Sequence, residues 1–267
     1  MLAAPTFYSM FQAEICKQLR KLLKPDEFTL RSMTDDSVEQ NKRLLATLKQ
    51  IHPSAVVAIS IQPDPETIMA YRKAEIPVVL IDEEAEGVSS ITSDNFMGGH
   101  LAGEHLILKS RKNLAVVSGR TQVKGGYNAV QRVKGFREAL RLKKVTLPQD
   151  HLFEVPHYSR EDGTQLMPEL LQKNFDAIFC AAGDNCAIGL MTVAKDQGVR
   201  IPDDVAIIGY DDLLAARVSN PPMTTISQPL EKMAKTAYEM AVLKKDEIFF
   251  KPKKVTFNPE LIIRQSA

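Results

Sequence analysis

The sequence predicts an α/β protein made of two similar halves, each with a mainly parallel β-sheet. The first observation is that short apolar segments alternate with helical patterns of about 10 to 15 residues, which is typical of βαβ units. The second is that segments such as residues 205–208 are continuously apolar, as expected for strands buried on both faces. The third is their number, because about nine strands exceed what one compact sheet usually carries.

In the first half, apolar periodicity and capping residues define the elements. The predicted strands lie at residues 1–4, 28–33, 55–61 and 78–81, followed by a loop to residues 90–92. The predicted helices lie at residues 10–23, 38–51, 65–74 and 95–109. Apolar residues recur every three or four positions in the first of them, namely Phe11, Ile15, Leu19 and Leu22. Pro65 opens the third helix and Asp94 is expected to cap the fourth.

The second half repeats the pattern and then departs from it. The predicted strands lie at residues 113–118, 151–155, 177–181, 205–208 and 224–227. The predicted helices lie at residues 130–141, 163–172, 185–197 and 230–244. Two short strands, at residues 253–257 and 260–264, flank Asn258 and Pro259 and do not extend the βαβ pattern. The charged run KSRK separates the halves, which predicts one lobe of residues 1–110 plus about 228–250 and another of residues 111–227 plus about 251–267.

Composition limits the classes of function. Lys plus Arg is 34 and Asp plus Glu is 33, so the net charge of +1 lacks the basic excess of a DNA-binding surface. The odd number of cysteines, 3, favours reduced thiols over a disulfide framework. The amino terminus has no basic segment before an apolar core, and no apolar run is long enough to span a membrane. We therefore expect a cytoplasmic protein with no membrane partner.

The stretch IPDDVAIIGYDD points to a ligand site. Its apolar strand ends at Asp211 and Asp212, and the carboxyl ends of strands in open parallel sheets face the crevice where ligands bind. Asp211 is expected to accept hydrogen bonds from a ligand, or alternatively to cap the helix that follows, and Asp212 to cap it. His100 and His105 are five residues apart and face different sides of a helix, so no metal site is expected. Phosphate-binding, nucleophile-elbow and thiol-redox motifs are absent from the sequence, which predicts neither cofactor nor catalysis.

Several segments together resemble the LacI/GalR family of bacterial transcription regulators. They are SDNFMGGHLAGEHLI, the R-x-x-G-F pattern at 132–136, GDNCAIGLMTVAKDQGVRIPDD, IPDDVAIIGYDD, PPMTTISQP and the terminal PELIIRQSA. The resemblance extends over essentially the whole chain. It implies a type I periplasmic-binding-protein-like fold, in which two Rossmann-like lobes with mainly parallel sheets are linked by three crossovers. It also implies a sugar-sized or nucleobase-sized ligand held between the lobes.

The resemblance further implies which residues contact the ligand. Asp211 matches the first aspartate of the family's G-[FY]-D-D motif, and Arg132 matches the arginine whose planar fork grips ligand oxygens. Phe7 or Tyr8 is expected as an aromatic wall, and Tyr158 falls where the family contributes another aromatic residue. Gly183 and Asp184 stand where the family has Asn-Asp, so an amide contact is lost. Asp184 is then expected either to replace it or to cap a helix.

The implied function is that of a sensor that binds a small polar effector, dimerises and relays occupancy to DNA through a separate helix-turn-helix headpiece. The sequence opens at what resembles the first strand of the effector domain, so we expect either an excised effector domain, which we favour, or a relative that naturally has no headpiece. The alternative within this fold is a periplasmic sugar-binding protein of a transporter. An α/β enzyme that uses Asp211 or Asp184 as a general base is a third hypothesis, from a different class.

Overall fold

A computed structural model describes residues 1–4, 10–23, 30–32, 38–119, 121, 126–243 and 245–267. The twelve strands found in these ranges are β1 Leu2–Ala4, β2 Leu30–Ser32, β3 Val56–Ile59, β4 Val78–Ile81, β5 Ser89–Ser93, β6 Leu114–Ser118, β7 Leu152–Glu154, β8 Ala177–Cys180, β9 Ala206–Asp211, β10 Thr224–Ser227, β11 Lys254–Phe257 and β12 Glu260–Ile262. The helices are α1 Met10–Leu22, α2 Val38–Gln50, α3 Pro65–Lys73, α4 Asn95–Leu108, α5 Tyr127–Leu142, α6 Arg160–Gln172, α7 Asp184–Asp196, α8 Leu214–Val218, α9 Leu230–Tyr238 and α10 Lys245–Phe250.

The strands form two six-stranded sheets, one in each of two compact units. The first unit comprises Met1–Ser93 and Pro229–Phe257, and the second comprises Asp94–Gln228 and Asn258–Ala267. The first sheet has the order β11-β5-β4-β3-β1-β2 and the second has the order β12-β10-β9-β8-β6-β7. All pairs are parallel except that of β10 with β12. The α/β class, the mainly parallel sheets and the three chain crossings are as the sequence predicts.

The observed division differs from the predicted one at two places. Helix α4, assigned by sequence to the first lobe, packs against α5 in the second unit. A Cβ added to Gly99 would lie 1.9 Å from the carbonyl oxygen of Arg132, and one added to Gly135 would lie 1.8 Å from that of Phe96. These contacts require glycine and hold the two helix backbones together.

The second difference concerns the last two strands, which the sequence placed together in the second lobe. Strand β11 instead pairs in parallel with β5 of the first sheet, whereas β12 pairs antiparallel with β10 of the second. The chain therefore crosses between the units after Phe257. The two strands are short and mix polar with apolar residues, so their sequence carried no information about which sheet each would join.

Helix bounds also differ from the predicted ones. Helix α5 begins at Tyr127 and α6 at Arg160, each three residues before the predicted start. The start of α6 is fixed by a capping box, in which Ser159 accepts from the backbone of Asp162 and the carboxylate of Asp162 accepts from the backbone of Ser159. The single helix predicted at residues 230–244 is α9 followed by a π-helical turn, Glu239–Leu243, and α10 comes after it.

The core of the second unit lies on both faces of its sheet. Successive residues of the central strands point to opposite faces, so Val117 and Ile207 pack toward α6 and α7, while Val116 and Ile208 pack toward α4 and α5. This double burial explains why the strands are continuously apolar in sequence. In the central strands β6 and β9, the charged or hydroxyl-bearing side chains lie at the carboxyl end, where the candidate site is found.

Candidate functional site

The carboxyl edge of the second sheet collects most of the predicted site residues. Strands β6, β8, β9 and β10 are parallel, so their carboxyl ends meet at one edge. The chain order reverses next to β6, which has β7 on one side and β8 on the other, and ligands bind at such switch points in open α/β sheets. Asp211, Arg132, Tyr158 and Asp184 all belong to this unit. Phe7 and Tyr8 lie outside the described residues and stay predictions.

Asp211 is the last residue of β9 and its carboxylate is held in place. The side-chain amide of Gln228 donates to Oδ1 of Asp211 at 2.7 Å. Asp211 has a φ of 107° and Asp212 a φ of 54°, both in a region that non-glycine residues seldom adopt. Such strained backbone is retained where a particular side-chain direction matters. Asp211 is 8% exposed, so it is buried within the unit and still reaches the surface.

Asp212 differs from the expectation that it caps the next helix. Helix α8 has no side-chain cap, and the cap position is occupied by Leu213. The carboxylate of Asp212 instead accepts from Arg264 at 2.5 Å and from Arg217 at 2.9 Å. The side chain of Asp212 therefore turns away from the helix terminus and ties the end of β9 to the carboxyl-terminal segment of the chain.

Arg132 lies in the first part of α5 and is fixed by three neighbours. Its Nε donates to Oδ1 of Asn95 at 2.7 Å, and one terminal nitrogen donates to the carbonyl oxygen of Ala181 at 2.9 Å. Its guanidinium carbon lies 3.7 Å from the ring centre of Tyr210, a cation–π contact. The side chain is 8% exposed. Arg132 is therefore a buried and oriented guanidinium and not a solvated surface arginine, and its contact with a ligand stays a prediction.

Asp184 is placed differently from a ligand contact. It is 0% exposed, its Oδ2 accepts from the backbone N–H of Leu213 at 2.7 Å, and its Oδ1 accepts from the hydroxyl of Thr225 at 2.6 Å. Burial, and then the nearby charge of Asp211, raise the pKa of the Asp184 carboxyl well above its usual range. Both of its oxygens already have protein donors, so the geometry favours a structural role that joins α7 to β10 and to the residue before α8.

Tyr158 lies at the same edge, in the loop between β7 and α6. Its φ is 59° and its ring is half-buried against the core of the unit. The ring covers Gly119, because a Cβ added there would lie only 2.0 Å from a ring carbon. The missing side chain at Gly119 thus provides the space in which the Tyr158 ring lies at the end of β6.

Two amide residues were not singled out from the sequence, and both contact predicted site residues. Asn95 is the first residue of α4 and is almost completely buried, with its Oδ1 accepting from Arg132 and from the hydroxyl of Tyr210 at 3.2 Å. Gln228 directly follows β10 and is also buried. Their sequence signal was available, since each is a polar residue next to the end of an apolar or β-forming segment, as Asp211 is. Their partners, however, are distant in sequence.

The arrangement combines acceptors and donors suited to a small polar molecule. Asp211 supplies a carboxylate and Arg132 a guanidinium, and both are charged groups that form strong hydrogen bonds. Within the described part of the chain, the Oε1 atom of Gln228 and the Oγ atom of Ser118 are buried without a hydrogen-bond partner. Over the same residues, no group of three or more histidine, cysteine, aspartate or glutamate side chains is placed to hold a metal ion. Nor does any helix there have the length and apolar character needed to cross a bilayer.

The chain is similar to known proteins over nearly its whole length. A family model described as a periplasmic binding protein-like domain matches residues 104–267, which is more than half of the chain. The HTH-type transcriptional repressor PurR of Escherichia coli is 28% identical over 276 residues, and the alignment covers 99% of this chain and 78% of the repressor.

Two solved structures show the same fold over the full length of the chain. The transcriptional regulator CelR, in complex with cellobiose, is 28% identical with a TM-score of 0.81, covering 100% of this chain and 84% of that one. A periplasmic binding protein/LacI transcriptional regulator from Alkaliphilus metalliredigens QYMF, complexed with D-xylulofuranose, is 26% identical with a TM-score of 0.84, covering 100% of this chain and 97% of that one. These likenesses confirm the fold class that the sequence predicts.

Proposed function

The chain belongs to the periplasmic binding protein-like domain family, and we propose that it acts as the effector-binding domain of a LacI-type transcriptional regulator. The effector is a small polyhydroxylated molecule, a sugar or sugar derivative. The observation that carries the proposal is that a fixed guanidinium and an anchored carboxylate lie at the carboxyl ends of neighbouring strands. Arg132 donates to the carbonyl oxygen of Ala181, which follows β8, and Asp211 ends β9. A hydroxyl group both donates and accepts, so a polyol satisfies both groups at once.

The relatives support regulation over transport. PurR is named as a repressor, and the structures that hold cellobiose and D-xylulofuranose are named as regulators. Both of those bound molecules are sugars, which supports the effector class. With a net charge of +1, the chain carries no basic excess for contacting DNA itself. In this proposal it regulates a DNA-binding segment through an equilibrium that the effector shifts by its different affinity for two conformations.

The geometry gives little support to catalysis. Asp184, one of the two candidates for a general base, is fully buried with both oxygens bound to protein donors. A general base must reach the proton that it removes. Of these two aspartates, Asp211 alone reaches the surface. Its position is explained if its carboxylate accepts a hydrogen bond from a ligand hydroxyl group, and no catalytic role is needed. We therefore propose binding without turnover.

The proposal is tested by a thermal-shift screen with D-ribose, D-xylulose, cellobiose, adenine and guanine. A bound molecule at 100 times its dissociation constant adds about 2.7 kcal/mol to the free energy of unfolding. For the molecule that shifts the melting temperature, Asp211→Asn and Arg132→Lys should each weaken binding about tenfold or more, because each removes a hydrogen bond to a charged group.

The matched control is Asp203→Asn, which neutralises an exposed aspartate of the same unit. This variant should bind as the wild type does. Chromatography of the recovered molecule distinguishes binding from catalysis, since a binder returns it unchanged. A shift that is equally large in wild type and in Asp211→Asn would contradict the assignment of the site.

We further propose that the chain forms a homodimer through the face of α8. Leu214 and Val218 are 73% and 72% exposed, and they lie four residues apart on one side of this helix. Contiguous exposed apolar surface is used for protein contacts, and the resemblance to the LacI/GalR family implies dimerisation. Sedimentation equilibrium should find a dimer for the wild type and a monomer for Leu214→Lys combined with Val218→Lys. The control is Leu142→Lys, at an exposed leucine of α5, and a variant that remains dimeric would exclude this face.

A further inference from the structure

Two of the three chain crossings are flanked by buried amide side chains. The chain passes between the units at residues 93–94, 228–229 and 257–258. Asn95 is the second residue after the first crossing, and Gln228 is the last residue before the second. Each of these amides is hydrogen-bonded to one of the two charged residues proposed to contact the effector. Each of these bonds joins residues that are distant in sequence, so it results from the tertiary fold.

Asn95 joins the first crossing to Arg132. Its Oδ1 accepts from Nε of Arg132 at 2.7 Å and from the hydroxyl of Tyr210 at 3.2 Å, while its Nδ2 donates to the side chain of Asn128 at 3.0 Å. Tyr210 also lies beneath the guanidinium, 3.7 Å from its central carbon. Because Arg132 is packed against this ring, a displacement of its guanidinium is passed to Asn95 and so to the first turn of α4.

Gln228 joins the second crossing to Asp211. Its Nε2 donates to Oδ1 of Asp211 at 2.7 Å, and it is 4% exposed. Pro229, the next residue, lies in the first unit and begins the approach to α9. A proline has a fixed φ, so the backbone just after Gln228 has little freedom to absorb a movement of this side chain.

We infer that Asn95 and Gln228 are positioning residues that couple effector occupancy to two of the chain crossings. The inference rests on the proposed function, in which Arg132 and Asp211 hold the effector. When the effector engages these two charged groups, it changes the strength and direction of their bonds to the amides. The amides then bias the backbone at residues 93–95 and 228–229. Coupling of this kind is a free energy shared between two places in the chain, and a double-mutant cycle measures it.

The test measures amide hydrogen exchange in peptides that cover residues 89–97 and 224–231, first without any added molecule. Arg132→Lys should speed exchange in the first peptide, and Asn95→Ala should do the same. The double variant should be no faster than the faster single variant, because both break the same link. Asn95→Asp keeps an acceptor for Arg132 and loses the donor to Asn128, so its exchange should lie closer to that of the wild type than Asn95→Ala does. A role of the amide through Asn128 alone would make the two variants equally fast.

The second crossing is tested in the same way with Gln228→Met and Asp211→Asn, which remove the donor and weaken the acceptor of one bond. The matched control is Asn113→Ala. Asn113 also donates to backbone carbonyls within the second unit, but it precedes β6 and is remote from both crossings. If Arg132→Lys fails to fold, Tyr210→Phe removes only the hydroxyl that donates to Asn95 and replaces it in the first cycle.

Strictly additive effects in both cycles, or equal acceleration of both peptides by Asn113→Ala, would overturn the inference. A second arm adds whichever of D-ribose, D-xylulose, cellobiose, adenine or guanine shifts the melting temperature. That molecule should slow exchange in both peptides of the wild type and lose this effect in Asn95→Ala and Gln228→Met, with affinity reduced about tenfold. Retained slowing in these two variants would also overturn the coupling. The absence of binding by all five molecules would instead count against the proposed effector class, and the cycles measured without them would still decide the coupling.

Discussion

Replacing Asp184 with alanine tests whether this aspartate is part of the structure and not of the ligand site. The carboxylate is fully buried and accepts from the backbone N–H of Leu213 and from the hydroxyl of Thr225. Alanine would leave both donors buried without an acceptor. Each lost partner costs about 1 to 3 kcal/mol. Removal of a desolvated acid works in the opposite direction, so we expect a net loss of about 2 to 4 kcal/mol in the free energy of unfolding.

Asp184→Asn is the matched control, because asparagine keeps the shape and one acceptor oxygen. We expect it to cost less than about 1 kcal/mol at neutral pH. The pH dependence of the free energy of unfolding reports on the protonated and ionised forms of Asp184. Its pKa is raised in the folded chain, so its contribution to stability is complete below its ordinary value of 3.8 and is lost as the pH rises through the folded value. Asp184→Asn cannot ionise at this position, so it should lack the fall in the free energy of unfolding that ionisation of Asp184 causes.

The assay is urea denaturation of the three proteins, followed by circular dichroism over a series of pH values. As the pH rises above the ordinary aspartate range, the wild type should lose stability relative to Asp184→Asn. The structural assignment would be refuted if Asp184→Ala cost less than about 1 kcal/mol, or if asparagine were as damaging as alanine. Parallel stability curves for the wild type and Asp184→Asn over this range would refute the raised pKa of Asp184.

Two further predictions concern other parts of the chain. Gly135→Ala should lower the free energy of unfolding, measured by urea denaturation, by at least about 1 to 3 kcal/mol. The reason is that the added Cβ would lie 1.8 Å from the carbonyl oxygen of Phe96 and force α4 and α5 apart. Unchanged stability would mean that the helices separate without cost. Burial, and then the charge of Asp82, raise the pKa of Glu83 to about 8. The wild type should therefore lose stability between pH 4.5 and about 8 relative to Glu83→Gln, and parallel melting-temperature curves for the two proteins over this range would contradict that sign.

Local sequence patterns were sufficient for most of the fold because they report local physics. Continuous apolar runs identified the central strands, and spacing of three to four residues identified α1. Asp94 was recognised as a cap from its position alone, and its Oδ1 accepts from the backbone of Met97 at 2.8 Å. The same reasoning located Asp211 at the end of β9, where the structure has it.

The sequence therefore determined the α/β class, the order of the elements and the edge of the sheet at which polar residues gather. Only the tertiary structure decided which sheet β11 joins, that Asp184 is enclosed, and that Asn95 and Gln228 hold the two charged residues of the candidate site. The physical reason is distance along the chain. Asn95 lies 37 residues from Arg132 and 115 from Tyr210, so their contacts depend on how whole helices and strands pack and leave no periodic trace in the sequence.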